Sequence, residues 1–433
     1  MDTLKRTVKD NNIIQALRVK PFALMMLSEF LSQVAFNMQH FVLIFIIFGL
    51  THSNTAVSGM ILSFIVPAVL FSVISGVYVD RWSKKKVLIS AHLIRALLVL
   101  PFLIPNLHLV FIYVLTFLIA VTTQFYMPAE NSIIPQLVPK KLIVPANAIF
   151  SFGIFGVMLI GYVLSGPVLA WLGRTYTISL LVFLFLISSI IVARIKVVYR
   201  KEKSQNENFS TVSKLSIAHE AKEIFVFIKK VSKVMHALLM ITIAQSAIFM
   251  FAVLGPGYVT TILDQPLESL SLLLIAPAGI GLGVGAFVLG SMGKKTKHAW
   301  ISAIGFVVVG IVFILMPLAS RVTSSGFVNI LNSVLPSIIH INILHLIVLM
   351  AFITGFGISF VFIPANSTIQ IETSEEMRGR MYGLLSSLTG AVSFLPVILA
   401  GGLADLFGVG AVIATVGAIL TVIGFCYLFL IKH

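Results

Sequence analysis

Apolar runs of about 18 residues or more alternate with short polar connectors along almost the whole chain. A helix rises about 1.5 Å per residue, so each run can cross a hydrocarbon core of about 30 Å. Twelve such runs are centred near residues 35, 68, 96, 118, 158, 184, 248, 280, 308, 353, 391 and 419. A membrane β-barrel would show shorter segments of alternating polarity. The pattern therefore predicts an all-α membrane protein with twelve transmembrane helices.

Composition agrees. The chain is 58% hydrophobic and only 10% charged, against about a quarter charged in soluble domains. The position of the charge orients the helices. Of the 30 Lys and Arg, 27 lie in the N-terminal segment, the even-numbered connectors or the tail. The odd-numbered connectors carry only Arg174 and Arg321, and Arg95 falls inside a span. Cytoplasmic loops are the ones enriched in Lys and Arg. Both termini and the long central loop are thus expected in the cytoplasm, with the protein multi-pass in the cell (inner) membrane. The same rule accounts for the net charge of +15, so nucleic acid is not an expected partner. Cys426 is the only cysteine, so no internal disulfide can form. The first apolar run is long enough to span, which argues against a cleaved signal peptide.

The central loop divides the chain into a six-helix bundle over residues 1–195, a cytoplasmic linker over 196–234 and a second six-helix bundle over 235–433. Within the linker, Ile217, Ala221, Ile224, Phe225 and Ile228 follow helical spacing. They suit a helix on the inner membrane surface or one packed on the helix ends. The two bundles echo each other. "SKK" from Ser83 matches "GKK" from Gly293, and "FYMPAENSIIPQ" from Phe125 resembles "VFIPANSTIQIE" from Val361. Duplicated halves are common in transporters, with the substrate site between them near the midplane.

The connector after the second span reads "GVYVDRWSKKK". Gly76 and Asp80 lie one helical turn apart and share a face. Arg81, Lys84 and Lys85 follow at the inner surface. In spacing and location this resembles the G-x-x-x-D-R-x-G-R-K motif of the major facilitator superfamily, with Ser83 for Gly and Lys84 for Arg. "FALMMLSEFLSQ", "HLIRALLVLPFL", "YMPAENSIIPQLVP" and "EEMRGRMYGL" resemble the drug-efflux branch that includes macrolide exporters. The resemblance covers nearly the whole chain. It implies two pseudo-symmetric six-helix bundles that rock about a central cavity. It also implies a cytoplasmic latch: Asp80 set against the positive N-terminus of the eleventh helix near Arg378, with Gly76 letting that helix approach. The plainer reading is that the basic residues only fix orientation.

Polar residues inside the spans come next. Glu29 is the one carboxylate expected well inside a span. Gln33, Asn37 and His40 follow at i+4, i+8 and i+11, on one face. Such a stripe should face the bundle interior or a water-filled cavity. It suits a substrate and proton surface, or hydrogen bonds that merely hold the bundle together. Arg95 is expected at the depth of Glu29, and a direct ion pair between them is the favoured reading. Gln124, with Thr122 and Thr123 in the fourth span, and Gln245, with Phe249 in the seventh, are further cavity candidates. Gly161, Gly166 and Pro167 in "GYVLSGPVLAWLG" resemble an exporter motif of the fifth helix, although Ala170 and Trp171 replace its last two glycines; a plain packing motif is the alternative.

No G-x-x-x-x-G-K-[ST] phosphate loop, HExxH or G-x-S-x-G elbow occurs in the sequence. No enzyme activity, cofactor or metal is expected. The leading expectation is a monomeric secondary transporter exporting a lipophilic or amphipathic small molecule, with protons entering in exchange. The alternatives are a lysolipid or lipid translocator, a nutrient or siderophore carrier of the same fold, and a non-transporting membrane sensor or scaffold.

Overall fold

The computed structural model describes residues 12–196, 231–291, 298–323 and 342–432. The linker helix expected over 217–228 lies outside the described residues. So do most of the N-terminal basic cluster and Lys294, Lys295 and Lys297. A short helix, Asn12–Arg18, leads into the membrane helices. These are α1 Lys20–Thr51, α2 Asn54–Arg81, α3 Lys84–Val99, α4 Leu109–Leu137 and α5 Ile143–Arg194. The second set comprises α6 Ser232–Gly257, α7 Ala276–Ser291, α8 His298–Thr323, α9 Ile343–Glu372, α10 Glu375–Phe407 and α11 Val409–Lys432. No strand occurs among the described residues.

At 52 residues α5 is far longer than one crossing needs. Gly173 sits within it at φ 70°, ψ 173°, a conformation open to glycine and strained for other residues. The chain turns there, and α5 supplies the fifth and sixth spans. The remaining helices each supply one, which agrees with twelve.

Large apolar side chains point outward. Trp171 is 86% exposed and Phe287 80%, a face that only lipid tolerates. Lipid is as apolar as leucine, so these helices are held by close packing and by polar contacts between them rather than by expulsion of water. The described chain forms two compact units. One comprises the segment up to Leu43 and that from Ser63 through α5; the other comprises Ile44–Leu62 and α6 to α11.

In the first unit, α1 and α5 exchange hydroxyls. Ser28 Oγ donates to the Ser188 carbonyl at 3.1 Å, and Ser188 Oγ donates to the Ser28 carbonyl at 3.2 Å. Below them Phe22, Met25, Leu88, Ala129, Ile133, Phe150 and Val192 form a buried cluster. In the second unit, α6 meets α10 through Ser246 Oγ and Ser393 Oγ at 2.6 Å and through Thr242 and Thr389 at 3.5 Å. The α7 and α9 backbones cross so closely that a Cβ at Gly281 would meet the Phe352 carbonyl, and one at Gly355 the Ala278 carbonyl.

Asp405, in the last turn of α10, caps the start of α2 in the second unit. It accepts from Ser53 Oγ at 2.7 Å, the Asn54 amide at 2.8 Å and Asn54 Nδ2 at 2.9 Å. It also accepts from the Thr55 amide at 3.0 Å and Thr55 Oγ1 at 2.7 Å. A helix start offers unpaired N–H groups and partial positive charge, which a carboxylate satisfies. Sequence reading did not anticipate this contact, because its partners lie some 350 residues apart. Asp405→Ala should cost about 1–2 kcal/mol. Hydrogen exchange should then quicken about tenfold at the Asn54 and Thr55 amides; unchanged exchange would show that the cap adds nothing.

Candidate functional site

The site is built on three helices of the first unit. α4 presents Thr123, Tyr126 and Glu130, spaced by roughly one turn and so stacked along one face. α1 brings Glu29 and Ser32 to that face, and α3 brings His92 and Arg95. The Tyr126 hydroxyl donates to Glu29 Oε2 at 2.6 Å and lies 3.1 Å from Glu130 Oε1. Ser32 Oγ is 3.5 Å from the same hydroxyl.

Arg95 donates from one guanidinium nitrogen to Thr123 Oγ1 at 3.0 Å. Its guanidinium carbon lies 4.4 Å from the centre of the Tyr126 ring and 4.9 Å from that of Phe36. A desolvated guanidinium over an aromatic face is held by the ring quadrupole. The His92 ring is 5.1 Å from that of Tyr126. The whole group is buried: Glu29, Glu130, Arg95, Tyr126 and His92 are each 3% exposed or less. Among the described residues, Glu29 Oε1, Arg95 Nε and both ring nitrogens of His92 have no hydrogen-bond donor or acceptor partner.

Two expectations need correction. Glu29 and Arg95 converge, but not as an ion pair: Tyr126 lies between them, bonded to the acid through its hydroxyl and to the cation through its ring. The ion pair found among the described residues is Lys233–Glu372, at 3.0 Å. Nor is Glu29 alone, since Glu130 is equally buried. Its segment reads as a connector because Pro128 and Pro135 resemble helix ends, yet α4 runs through both to Leu137. Prolines are tolerated in membrane helices because neighbouring groups satisfy the freed carbonyls. The available signal was the i, i+4 spacing of Tyr126 and Glu130.

The rest of the α1 stripe divides. Asn37 is buried and donates from Nδ2 to the Gln33 carbonyl at 2.7 Å. It packs on Gly161, where a Cβ would approach the Asn37 Cβ to 2.8 Å and the Val34 carbonyl oxygen to 3.0 Å. Gly161 therefore lets α5 close on α1. Gly166 is buried and Pro167 half-buried on the same helix. His40 lies against Phe64 with ring centres 3.8 Å apart, and its Nδ1 is 2.7 Å from the Phe36 carbonyl. Gln124 lies two residues from Tyr126, on another side of α4. Gln245 is half-buried on α6, within the second unit.

At the C-terminal end of α2, Lys84 Nζ donates to the Val79 carbonyl at 2.8 Å, and Lys85 Nζ to the Ala193 carbonyl at 2.7 Å. Each cation caps a helix C-terminus, where carbonyls lack partners and carry partial negative charge. Arg81 is exposed. A Cβ at Gly76 would meet nothing within 4 Å. The side chains of Asp80 and Arg378 lie outside the described residues.

Membrane-crossing helices, a turn at Gly173 that splits α5 and a buried acid–tyrosine–cation group narrow the family, and the sequence comparison decides it. The profile of the Major Facilitator Superfamily matches residues 25–395. The chain belongs to that superfamily. As a Major Facilitator protein it is a multi-pass membrane transporter. Its relatives include the uncharacterized MFS-type transporter YvqJ of Bacillus subtilis (strain 168), 26% identical over 82% of this chain and 79% of that one. Macrolide efflux protein A of Streptococcus pyogenes is 23% identical over 84% of this chain and 85% of that one. Among solved structures, the nucleoside transporter NupG superposes with a TM-score of 0.68 at 15% identity, covering 96% of this chain and 100% of that one. A POT family transporter in complex with 5-aminolevulinic acid gives 0.68 at 13% identity, covering 94% and 95%. At such identities the structures share the Major Facilitator fold and establish nothing about substrate.

Proposed function

We propose that this transporter exports a lipophilic or amphipathic small molecule while protons enter the cell, with both termini in the cytoplasm. The observation that carries the reading is the buried Glu29, bonded to Tyr126 rather than ion-paired with Arg95. Carboxylates inside membrane spans mark ion and proton pathways in transporters, and one without a direct ion pair is free to serve in one. The export direction draws support from the likeness to macrolide efflux protein A. In this reading Gln33, His40 and Gln124 line the substrate path within the first unit, and Gly76 with Asp80 forms a conformational latch at the end of α2.

Flux of a fluorescent macrolide from proteoliposomes under an imposed pH gradient tests the proposal. Glu29→Gln should abolish the dependence on that gradient. Asp80→Asn should slow transport roughly tenfold, the effect of losing a favourable charge–helix interaction of about 1–2 kcal/mol. Gradient-independent flux in the wild type would exclude proton antiport. Uptake of lysolipid or siderophore in place of macrolide would move the substrate class.

A further inference from the structure

We infer that Glu29 and Glu130 hold one exchangeable proton between them, with the Tyr126 hydroxyl as the bridge. The inference rests on the proton-coupled reading above and deepens it by naming the second acid.

Hydrogen counting is the first support. A phenol has one hydrogen, yet carboxyl oxygens from two residues lie within hydrogen-bond distance of the Tyr126 oxygen, at 2.6 and 3.1 Å. Tyr126 can donate to one of them. The other contact is satisfied when that carboxyl carries a proton and donates to the phenol oxygen. The shorter contact marks Glu29 as the acceptor, leaving Glu130 as the donor.

Charge balance is the second support. The titratable groups facing the pair are Glu29 itself from α1, His92 and Arg95 from α3, and Tyr126 and Glu130 from α4; His40 lies further along α1. Arg95 is the single permanent cation in this group. Two ionised carboxylates would leave a net negative charge in a site shielded from water, which is costly. One proton on the pair brings the group to neutrality. On release, the Glu130 O–H bond breaks, its electron pair stays on the carboxylate and the proton passes to solvent that reaches the site during the transport cycle. Binding reverses the step.

The test is infrared difference spectroscopy of the reconstituted protein across a pH titration, which reads the C=O stretch of protonated carboxyls without any substrate. Wild type should show a titrating carboxyl band that is lost in Glu29→Gln and again in Glu130→Gln, because either change leaves one carboxylate balanced by Arg95. Tyr126→Phe should shift its midpoint by about one pH unit. A band that survives either glutamine substitution would overturn the shared proton, as would two bands that disappear independently. If one glutamine variant fails to fold, the other and Tyr126→Phe still decide. If macrolide flux proves uncoupled from protons while the band behaves as described, the antiport reading falls and the shared proton stands.

Discussion

Gly355→Ala is expected to abolish stable folding of the second unit. The added methyl carbon would occupy the space of the Ala278 carbonyl, and the neighbouring contact at Gly281 already sits against the Phe352 carbonyl. Both obstacles are backbone, so no side chain can rotate away. Relief requires α7 and α9 to separate along their crossing. Membrane helices lack a solvent-driven force to hold them together and depend on such contacts, so the loss extends along the interface. A cost of about 3 kcal/mol or more follows, at the upper end for overpacking. Thermal unfolding monitored by size-exclusion chromatography in detergent checks it. Gly283→Ala, two residues beyond Gly281 on α7 with nothing within 4 Å of its Cβ position, should be nearly neutral. Equal stability of the two variants would refute the packing argument.

Arg95→Ala should be nearly as damaging, for an electrostatic reason. The guanidinium is 2% exposed and is the cation that balances Glu29 and Glu130. Removing one partner from a buried charged group strands the others, at about 3–5 kcal/mol. The variant also loses the ring contacts to Phe36 and Tyr126. Charge should be the larger part, and a second substitution separates the two. Adding Glu29→Gln to Arg95→Ala removes the stranded negative charge and should recover more than half of the lost stability. If the double variant is no more stable than the single one, packing rather than charge is what Arg95 supplies. The same thermal assay reads both, and the four proteins form a double-mutant cycle whose coupling should exceed about 1 kcal/mol.

The two acids of the site show how far a linear reading reaches. Glu29 stands out because a carboxylate inside an apolar run is costly, and its neighbours repeat at helical spacing. Arg95 stands out for the same reason, and its depth follows from counting residues at a fixed rise. Glu130 is hidden by Pro128 and Pro135, which punctuate soluble helices but are absorbed within α4. Tyr126 is hidden because a tyrosine near a span end is ordinary in membrane proteins. Its position between acid and cation depends on how three helices rotate about their axes, which residue spacing on each helix leaves open.

Sequence alone determined the twelve spans and the presence of charged groups at membrane depth. Those features depend on rise per residue and the cost of charge in lipid, both local or additive along the chain. Tertiary structure decided which polar groups meet: Glu29 with Tyr126 and Glu130, Asn37 with Gly161, Asp405 with the start of α2. These contacts join segments from 97 to 352 residues apart, and they depend on helix rotation and on ångström-scale approach between backbones. Periodicity identifies a polar face, but only packing determines what it faces.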